Sequence, residues 1–527
     1  MSRRGFVAGA AMAAAGIGAG TGAGAAPAGR RFHACLSEDA LEADPALLST
    51  VRQAGITDVW VTGYLYGYWH YTPERIAAWR SKVEAAGMAA HVCNVPLGHP
   101  GDSLGAMAGD VPLSPPKHWK PGVRTDGSLY SGTSLHAPAT AEHCAAVRQL
   151  AQLGVRRVMV DDDFRLGQSP DTIGGCYCPE HRDAFLKRHG YPASRWPELV
   201  DAVARRDPTP LLREWLEQQC DELTACFRAM QVAAGARVDL GIMVMYMGCE
   251  KAGIRLEDYR RASFRVGEGH FDDGSFGTVK GKTVELFSSL FHRRFCSPER
   301  ALSETTAYPA TALSAPNMAA KLAVSTISDV RTTMFMSGLS PFPRTHWETL
   351  GPAMRRNAAI HARIAGHRAR GPFKHYWGMP SRYAGTANPF SLWLALGVPF
   401  EVCAEPPADG WTFLSDTDAD ARRAASAPPH GQQVARSGAP AVGLEVAAED
   451  LAALFAWRRT ILPAIGAAPH IVEETPAVCA WYPTAHAAIV WNLTDAACTL
   501  TVRTGDHNQT VALSALGVAL IDLPPHV

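Results

Sequence analysis

Eight short apolar runs, separated by polar loops and amphipathic stretches, constrain the fold more than any other feature of this sequence. They lie at residues 31–36, 58–62, 89–94, 157–160, 240–245, 263–267, 300–303 and 332–336. Helices are expected between several of them, at 73–86, 139–153 and 317–330. Eight strands that alternate with helices predict a (β/α)8 barrel. A doubly wound open sheet is the alternative, but no glycine fingerprint of a nucleotide-binding loop follows the first run.

Two smaller domains are predicted after the barrel, which we assign to residues 31–370. Apolar segments at 387–402 and 410–414, interrupted by an Ala/Pro/Gly-rich stretch at 424–441, indicate a small α/β domain over 371–465. Short alternating segments at 477–482, 487–492, 499–503 and 518–523 indicate a C-terminal β-sandwich over 466–527.

Residues 1–30 are typical of a twin-arginine export signal. The stretch SRRGFV at residues 2–7 precedes an Ala/Gly-rich apolar segment, and APA at 26–28 offers a cleavage site. This apolar segment is too short and too rich in glycine to predict a permanent transmembrane helix. We therefore expect a periplasmic or secreted protein; an ordinary flexible tail is the alternative.

The composition excludes some partners. The 527 residues carry 50 Lys and Arg against 50 Asp and Glu, so the formal net charge is zero. Neither nucleic acid nor an anionic membrane surface is therefore an expected partner. The twelve cysteines show no compact disulfide spacing, which indicates mostly buried free thiols.

Chemistry-bearing residues concentrate just past the predicted strands, where the active sites of such barrels lie. Carboxylates, histidines and aromatic rings together are typical of a sugar-cleaving cleft. The candidates are Tyr64, Trp69, Asn94, Asp161, Asp162, Asp163, Arg165, Glu268, His270, Asp272, Asp273, Glu304, His346, Trp347 and Glu348.

The densest charge cluster is the run of three aspartates in VMVDDDFRLG, at residues 158–167. Strand alternation sends Asp161 and Asp163 one way and Asp162 the other. Carboxylates that crowd together raise one another's pKa, which keeps a general acid protonated near neutrality. The alternative is a solvated cluster or one paired with arginine, for instance Asp161 with Arg165.

A second cluster, CYCPEH at residues 176–181, has the chemistry of a metal site. Zinc prefers thiolate sulfur and imidazole nitrogen in tetrahedral sites, so Cys176, Cys178 and His181 predict a structural zinc. Cys144, Cys93 or His143 would supply the fourth ligand. Free thiols and a disulfide are the alternatives.

The order of these motifs resembles the β-galactosidases of glycoside hydrolase family 42. Those proteins join a catalytic barrel to a small flavodoxin-like trimerisation domain and a C-terminal β-domain. Their acid/base segment reads Asp-Asn-Glu-Tyr-Gly and is followed by Cys-Tyr-Cys-x-x-Cys; DDDFR at 161–165 and CYCPEH at 176–181 stand in those places here. Their nucleophile lies in a Met-Glu-x-Ser/Thr-Pro segment at the seventh strand, and SETT at 303–306 fits that place.

The resemblance implies a retaining glycoside hydrolase with Asp163 as acid/base and Glu304 as nucleophile. It further implies exo-action on a small oligosaccharide or glycoside, no cofactor in catalysis, and a homotrimer. The family's Asn-Glu pair reads Asp162-Asp163 in this chain. This difference leaves two alternatives: a non-catalytic carbohydrate-binding barrel, and a glycosidase whose acid/base is Glu268 or Asp273.

The other candidates have structural alternatives. Tyr64 and Trp69 would form a stacking platform for a sugar or cap the core. The segment 270–275 would contact substrate or form a turn, since Asp-Asp-Gly is a common turn former. Trp347 and Glu348, past the eighth strand, are sugar-binding candidates.

Overall fold

The structure of the protein is a computed structural model. It describes residues 29–65, 67–95, 97, 107–108, 111–112, 114–133, 135–161, 164–167, 172–244, 247, 249–266, 269–338, 340–386, 389–425, 432–435, 443–445 and 450–524. The predicted export signal falls on 1–30, of which all but the last two residues lie outside the described part, so it stays a prediction.

A closed barrel of eight parallel strands forms the first part of the molecule. Its strands are β1 (Arg31–Cys35), β2 (Asp58–Leu65), β3 (Ala89–Val95), β4 (Arg157–Val160), β5 (Asp239–Val244), β6 (Phe264–Val266), β7 (Ala301–Thr306) and β8 (Thr332–Met336). Each strand pairs with the next, and β1 pairs with both β2 and β8, which closes the ring. The predicted barrel is confirmed, and the open-sheet alternative is wrong because the sheet has no free edge.

Side-chain alternation explains why these runs form a barrel. The inward positions Trp60, Met159, Leu302 and Met334 pack into one apolar cluster that fills part of the interior. The outward positions of the same strands, such as Val59, belong to the large core between the barrel and its helices. Both faces of a parallel strand are thus buried, which is why the strands read as nearly continuous apolar runs.

Helices surround the barrel and connect its strands. They are α1 (Glu38–Ala43), α2 (Leu47–Ala54), α3 (Pro73–Ala85), α4 (Ala139–Gln152), α5 (Pro179–His189), α6 (Arg195–Arg205), α7 (Pro210–Ala234), α8 (Asp273–Phe276), α9 (Val279–His292), α10 (Ala315–Ile327) and α11 (Arg344–Ile364). Local sequence marks their starts: Thr72 and Thr209 each accept a backbone hydrogen bond at the N-cap, and proline opens the helix behind each threonine.

Short segments complete this part of the chain. Tyr68–Trp69 pairs with the end of β2, and small ribbons join Met107–Ala108 to Val111–Pro112 and Pro121–Val123 to Leu129–Thr133. Single 3-10 turns occur at Glu250–Ala252, Leu256–Tyr259, Leu392–Ala395, Leu462–Ala464 and Pro483–Ala485.

A buried ion cluster closes the amino-terminal end of the barrel. Asp58 accepts hydrogen bonds from Arg31 at 2.7 Å and from His91 at 2.8 Å, and His33 Nε2 lies 3.2 Å away. Burial alone would raise the pKa of Asp58, but the hydrogen bonds from His33 and His91 lower it well below its usual range. This ion cluster therefore fills the amino-terminal end of the barrel, opposite the end where the candidate site lies.

The second domain is a parallel α/β unit. Its strands are β9 (Phe373–Tyr376), β10 (Phe400–Cys403), β11 (Trp411–Leu414), β12 (Gln432–Ala435) and β13 (Gly443–Glu445), in the spatial order β10-β9-β11-β12-β13. Its helices are α12 (Met379–Ala384), α13 (Asp416–Ala424) and α14 (Leu451–Ile461). This strand order is that of flavodoxin-like domains, so the predicted domain type is confirmed.

Buried charged residues connect the second domain to the barrel through an ion pair and a hydrogen bond. The guanidinium of Arg382, on α12, donates to both carboxylate oxygens of the fully buried Glu250, which follows β5. Lys251 Nζ donates to the carbonyl of Gly385 at 2.8 Å. The two domains therefore share a desolvated polar contact.

The C-terminal domain is a β-sandwich, as the sequence predicts. Its strands are β14 (His470–Ile471), β15 (Ala477–Tyr482), β16 (Ala487–Asn492), β17 (Cys498–Thr504), β18 (His507–Leu513) and β19 (Val518–Asp522). They form two antiparallel sheets, β14-β17-β18 and β15-β16-β19, whose facing side chains build one apolar core.

The numerical limits of the three domains stay predictions. Within the described residues, none of the helices has the length and apolar character needed to cross a membrane.

Candidate active site

Glu304 lies inside the barrel near the carboxyl end of β7. Alternation along this strand turns Leu302 and Glu304 to the interior, where Leu302 belongs to the apolar cluster. The Glu304 side chain is almost fully buried, with its residue 1% exposed. Thr306, two residues on, donates its hydroxyl hydrogen to Glu304 Oε1. The predicted nucleophile therefore lies at the end of the barrel where such chemistry takes place.

Arg265, on β6, is the cation of this site, and its side chain is completely buried. It donates through Nη2 to Asp161 Oδ1, and its Nε lies 3.6 Å from Glu304 Oε2. Burial would lower the pKa of Arg265, but the carboxylates of Asp161 and Glu304 outweigh it and raise that pKa above its usual value. One permanently charged guanidinium thus bridges carboxylates from β4 and β7.

Asp161 follows β4 and faces this cation. Its main-chain N–H donates to the carbonyl of Asn94 at 2.8 Å, and its Oδ2 accepts a hydrogen bond from Cys93 Sγ at 3.4 Å. Burial, with the nearby charge of Asp161, raises the pKa of the Cys93 thiol well above its usual value. Arg165, whose Nε donates to the carbonyl of Gly167 at 2.9 Å, is buried behind the same loop.

Three candidate carboxylates, Asp162, Asp163 and Glu268, lie outside the described residues. The structure therefore does not give the distance between the carboxyl groups of Asp163 and Glu304. The assignment of Asp163 as acid/base stays a prediction from the sequence.

The aromatic pair at the end of β2 packs between the strand and α4. The register of β2 against β3 shifts between Thr62 and Leu65. Tyr64 then joins a cluster with Trp69 and Trp119, its hydroxyl 3.3 Å from Glu142 Oε2. Asn94 Oδ1 accepts the Tyr64 main-chain N–H at 3.0 Å. Trp69 is half-buried, with its ring edge-on to Tyr64, so the partly exposed Trp69 is the ring of this pair open to a ligand.

The segment 270–273 is tied down by hydrogen bonds to neighbouring helices. His270 contacts the buried carboxylate of Glu285 through Nδ1, at 3.0 Å. Asp272 caps α8 by accepting the Ser275 N–H at 2.8 Å, which holds its pKa below the usual value. Asp273 Oδ1 accepts from both Ser314 N–H and Asn317 Nδ2 at 2.8 Å. The turn interpretation thus accounts for Asp272, whereas Asp273 ties the segment to the start of α10; contact of either residue with a substrate stays a prediction.

The candidates past β8 lie on α11. Trp347 is 3% exposed and packs against Phe335 and Phe342, so its ring is part of the core. His346 Nε2 lies 3.2 Å from the carbonyl of Leu313. Glu348 is exposed on the same helix. Contact of His346, Trp347 or Glu348 with a sugar stays a prediction.

The Cys/His segment forms a compact cluster of metal-ligand atoms. The donor atoms of His136, Cys178 and His181 lie within 4.8 Å of one another, with Cys178 Sγ 3.2 Å from His181 Nδ1 and 3.3 Å from His136 Nε2. Burial would raise the pKa of the Cys176 thiol, but its hydrogen bond with His181 lowers it. Cys176 thus contacts His181, but it is not among the donor atoms that lie within 4.8 Å of one another.

This donor set fits zinc. Separations of about 3.3–3.8 Å are expected between ligands that each lie about 2.0–2.3 Å from a tetrahedral zinc ion. Both histidines also place their outer nitrogen on a carboxylate: His181 Nε2 is 3.1 Å from Glu222, and His136 Nδ1 is 3.2 Å from Glu180. Such carboxylate contacts orient metal-bound imidazoles. A structural zinc at this cluster stays a prediction.

Sequence reasoning missed two residues here. His136, and not the expected Cys144, Cys93 or His143, joins Cys178 and His181 in this cluster; Cys93 lies inside the barrel and His143 packs on Trp119. The sequence offers one signal for His136, which is its position directly before α4. Arg265 was included in the sixth predicted strand but not as a site residue, although a lone arginine in a buried strand indicates a charged partner inside the barrel.

The comparisons with known proteins agree with this architecture. No protein-family model and no curated protein matches the chain. Gan42B, a GH42 β-galactosidase, has a similar structure over 93% of this chain and 98% of its own, with 9% identity and a TM-score of 0.58. A catalytic mutant of Gan42B from G. stearothermophilus covers the same shares, with 9% identity and a TM-score of 0.55.

At such low identity the likeness shows the fold. The fold of this chain, with its closed (β/α)8 barrel that carries Glu304 near the carboxyl end of β7, is thus similar to that of these two β-galactosidase structures.

Proposed function

We propose that the protein is a retaining glycoside hydrolase, exo-acting on a small oligosaccharide or glycoside. The observation that carries this proposal is the buried Glu304 near the carboxyl end of β7, held beside the Arg265 guanidinium. A fixed cation favours the ionised form of a neighbouring carboxylate, and the ionised form is the one that attacks an anomeric carbon.

The proposed reaction has two steps. In the first, Asp163 gives its proton to the leaving oxygen while Glu304 attacks the anomeric carbon, which breaks the glycosidic bond and forms a glycosyl ester. In the second, Asp163 takes a proton from water, whose oxygen attacks the same carbon and releases Glu304. This sequence needs two carboxyl groups about 5–5.5 Å apart and no cofactor.

Hydrolysis of nitrophenyl glycosides tests the proposal. The panel spans pyranosides and furanosides in both anomeric forms, with purified wild type beside Glu304→Gln and Asp163→Asn. Glu84→Gln, exposed near the end of α3, is the matched control. We expect one glycoside to be cleaved, Glu304→Gln to abolish cleavage, and Glu84→Gln to leave it unchanged. Full activity of Glu304→Gln would refute the nucleophile.

The acid assignment has its own readout. A general acid matters most when the leaving group is poor, so Asp163→Asn should lose far more activity on an alkyl glycoside than on a dinitrophenyl glycoside. Equal losses on both would count against Asp163. The same comparison on Glu268→Gln and Asp273→Asn tests the two other candidates for acid/base.

A non-catalytic carbohydrate-binding barrel is the second candidate. The observation that favours it is the sharing of Arg265 by Asp161 and Glu304, since a carboxylate held in an ion pair is a weaker nucleophile. Its signature would be calorimetric binding of a sugar by wild type with no turnover on any panel member.

Export through the predicted signal and a homotrimeric state belong to the same proposal, on the strength of the sequence motif and the resemblance. Signal cleavage in a bacterial host and light scattering of the purified chain measure them. A monomer would remove the trimer from the proposal without touching the chemistry.

A further inference from the structure

A cavity of about 730 Å³ lies between the barrel and the second domain. One wall is formed where β9 and β10 end, at Tyr376 and Cys403, and the other where α9 and α10 end, at Phe295 and Ser328. Six arginines line it against four carboxylates, so its lining carries an excess of two positive charges. The cavity is separate from the barrel interior that holds Glu304.

Three of those arginines gather around one phenyl ring. The guanidinium carbons of Arg382, Arg294 and Arg260 lie 5.1, 5.4 and 6.0 Å from the centre of the Phe295 ring. An aromatic face attracts a cation at such distances, so the ring offsets part of the repulsion among the three. We name these residues the Phe295 arginine cluster.

The carboxylates of the cavity are largely committed elsewhere. Glu257 pairs with Arg382, at 2.8 Å. Asp329 lies 3.5 Å from Arg293, and Glu401 pairs with Arg370. The fourth, Glu405, is exposed at the rim.

The guanidinium groups of Arg294 and Arg260 form no hydrogen bond or ion pair with any residue that the structure describes. Arg294 is half-buried, and its pKa is lowered by burial and by the neighbouring charge of Arg382. A charge withdrawn from water without a counter-ion is unfavourable. An anion that enters the cavity would remove this penalty.

We propose that Arg294 and Arg260 of the Phe295 arginine cluster bind a small ligand through a tetrahedral oxyanion, a phosphate or sulfate group, while Arg382 stays paired with Glu250 and Glu257. Guanidinium forks bind such groups through paired hydrogen bonds. The carboxyl edge of a parallel sheet, where β9 and β10 end, is also where α/β domains of this strand order receive ligands. The ligand would contact both domains and hold them together.

Thermal unfolding and calorimetric titration of the full-length chain with sodium phosphate test this proposal. Sodium chloride at matched ionic strength is the reference, and sodium sulfate is a parallel arm that separates the two oxyanions. We expect phosphate or sulfate to raise the unfolding midpoint in a concentration-dependent way that chloride does not reproduce.

The variants are Arg294→Gln and Arg260→Gln, with Arg261→Gln as the matched control. Arg261 is exposed, follows Arg260 directly and does not line the cavity. Loss of one charged donor should weaken oxyanion binding by at least about tenfold in the two variants, while Arg261→Gln should bind as wild type does. Arg294→Gln should also raise the midpoint without added anion, because it removes a charge that lacks a partner.

Two results would overturn the proposal. One is a wild type whose midpoint responds no more to phosphate or sulfate than to chloride. The other is binding that survives in Arg294→Gln and Arg260→Gln or falls equally in Arg261→Gln. If Arg294→Gln does not fold, the exposed Arg260 carries the same comparison. Since glycoside cleavage is measured separately, failure here leaves the proposed function untouched.

Discussion

Replacement of Arg265 by methionine is the sharpest perturbation of the candidate site. Arg265 is fully buried and bridges two buried carboxylates, Asp161 and Glu304. Methionine keeps much of the side-chain length in a region that already holds the Met334 sulfur, 3.4 Å from Nη1. The substitution therefore removes the charge with little change in packing, and leaves two carboxylates buried without their cation.

We expect Arg265→Met to lower the free energy of unfolding by about 3–5 kcal/mol, the usual cost of removing one partner from a buried ion pair. Urea unfolding followed by tryptophan fluorescence measures this loss, since Trp60 lies in the same barrel interior. At constant slope, the shift of the midpoint reports the change in stability.

A second substitution isolates the pair. Glu304→Gln in the Arg265→Met background should recover at least about 1 kcal/mol, because it removes one of the two uncompensated charges. Arg300→Met is the matched control. Arg300 is exposed, and its ion pair with Asp239, 3.5 Å long, is a surface contact worth about 0–1 kcal/mol. An Arg265→Met loss no larger than that of Arg300→Met, or no recovery by Glu304→Gln, would refute the reasoning.

Three further outcomes are expected. Burial lowers the pKa of His33 and His292 to about 4 and that of His375 to about 3, so only the unfolded chain binds these protons between pH 6.5 and 4. The free energy of unfolding should therefore fall with falling pH across that window, by up to about 4 kcal/mol per pH unit. His375→Gln should reduce this slope by about a third. A free energy of unfolding that does not change with pH there would contradict the lowered pKa values of the three histidines. Metal analysis should find one zinc per chain. The affinity for zinc should be at least about tenfold lower in His136→Ala and unchanged in the exposed His118→Ala. A protein that contains no zinc and is fully stable would contradict the structural zinc. Arg382→Met should cost about 3–5 kcal/mol in urea unfolding because Glu250 stays buried without its cation, and a cost below 1 kcal/mol would contradict that role.

The barrel could be predicted because each strand is buried on both faces. Such strands read as apolar runs, and all eight predicted runs coincide with strands, with boundaries that differ by at most three residues among the described positions. The C-terminal sandwich followed in the same way from alternating segments, although β18 at His507–Leu513 was missed because its residues are mostly exposed and polar.

The candidate site was harder to predict because it depends on contacts between distant residues. The register shift in β2, at a Gly63 whose added Cβ would lie 2.5 Å from Val92, turns Tyr64 towards α4. Trp347 follows the apolar face of a long helix into the core. Arg265 meets Asp161 and Glu304 only when β4, β6 and β7 close into one ring, and no spacing along the chain encodes that meeting.

Azide rescue of Glu304→Ala tests the central claim most directly, with the substrate that the glycoside panel identifies. If Glu304 is the nucleophile, azide should enter the space left by its carboxylate and restore turnover. The product should be a glycosyl azide whose anomeric configuration, read by NMR, is opposite to that of the substrate. A variant that azide does not revive, or one that yields the azide with the substrate's own configuration, would contradict the assignment of Glu304 as nucleophile.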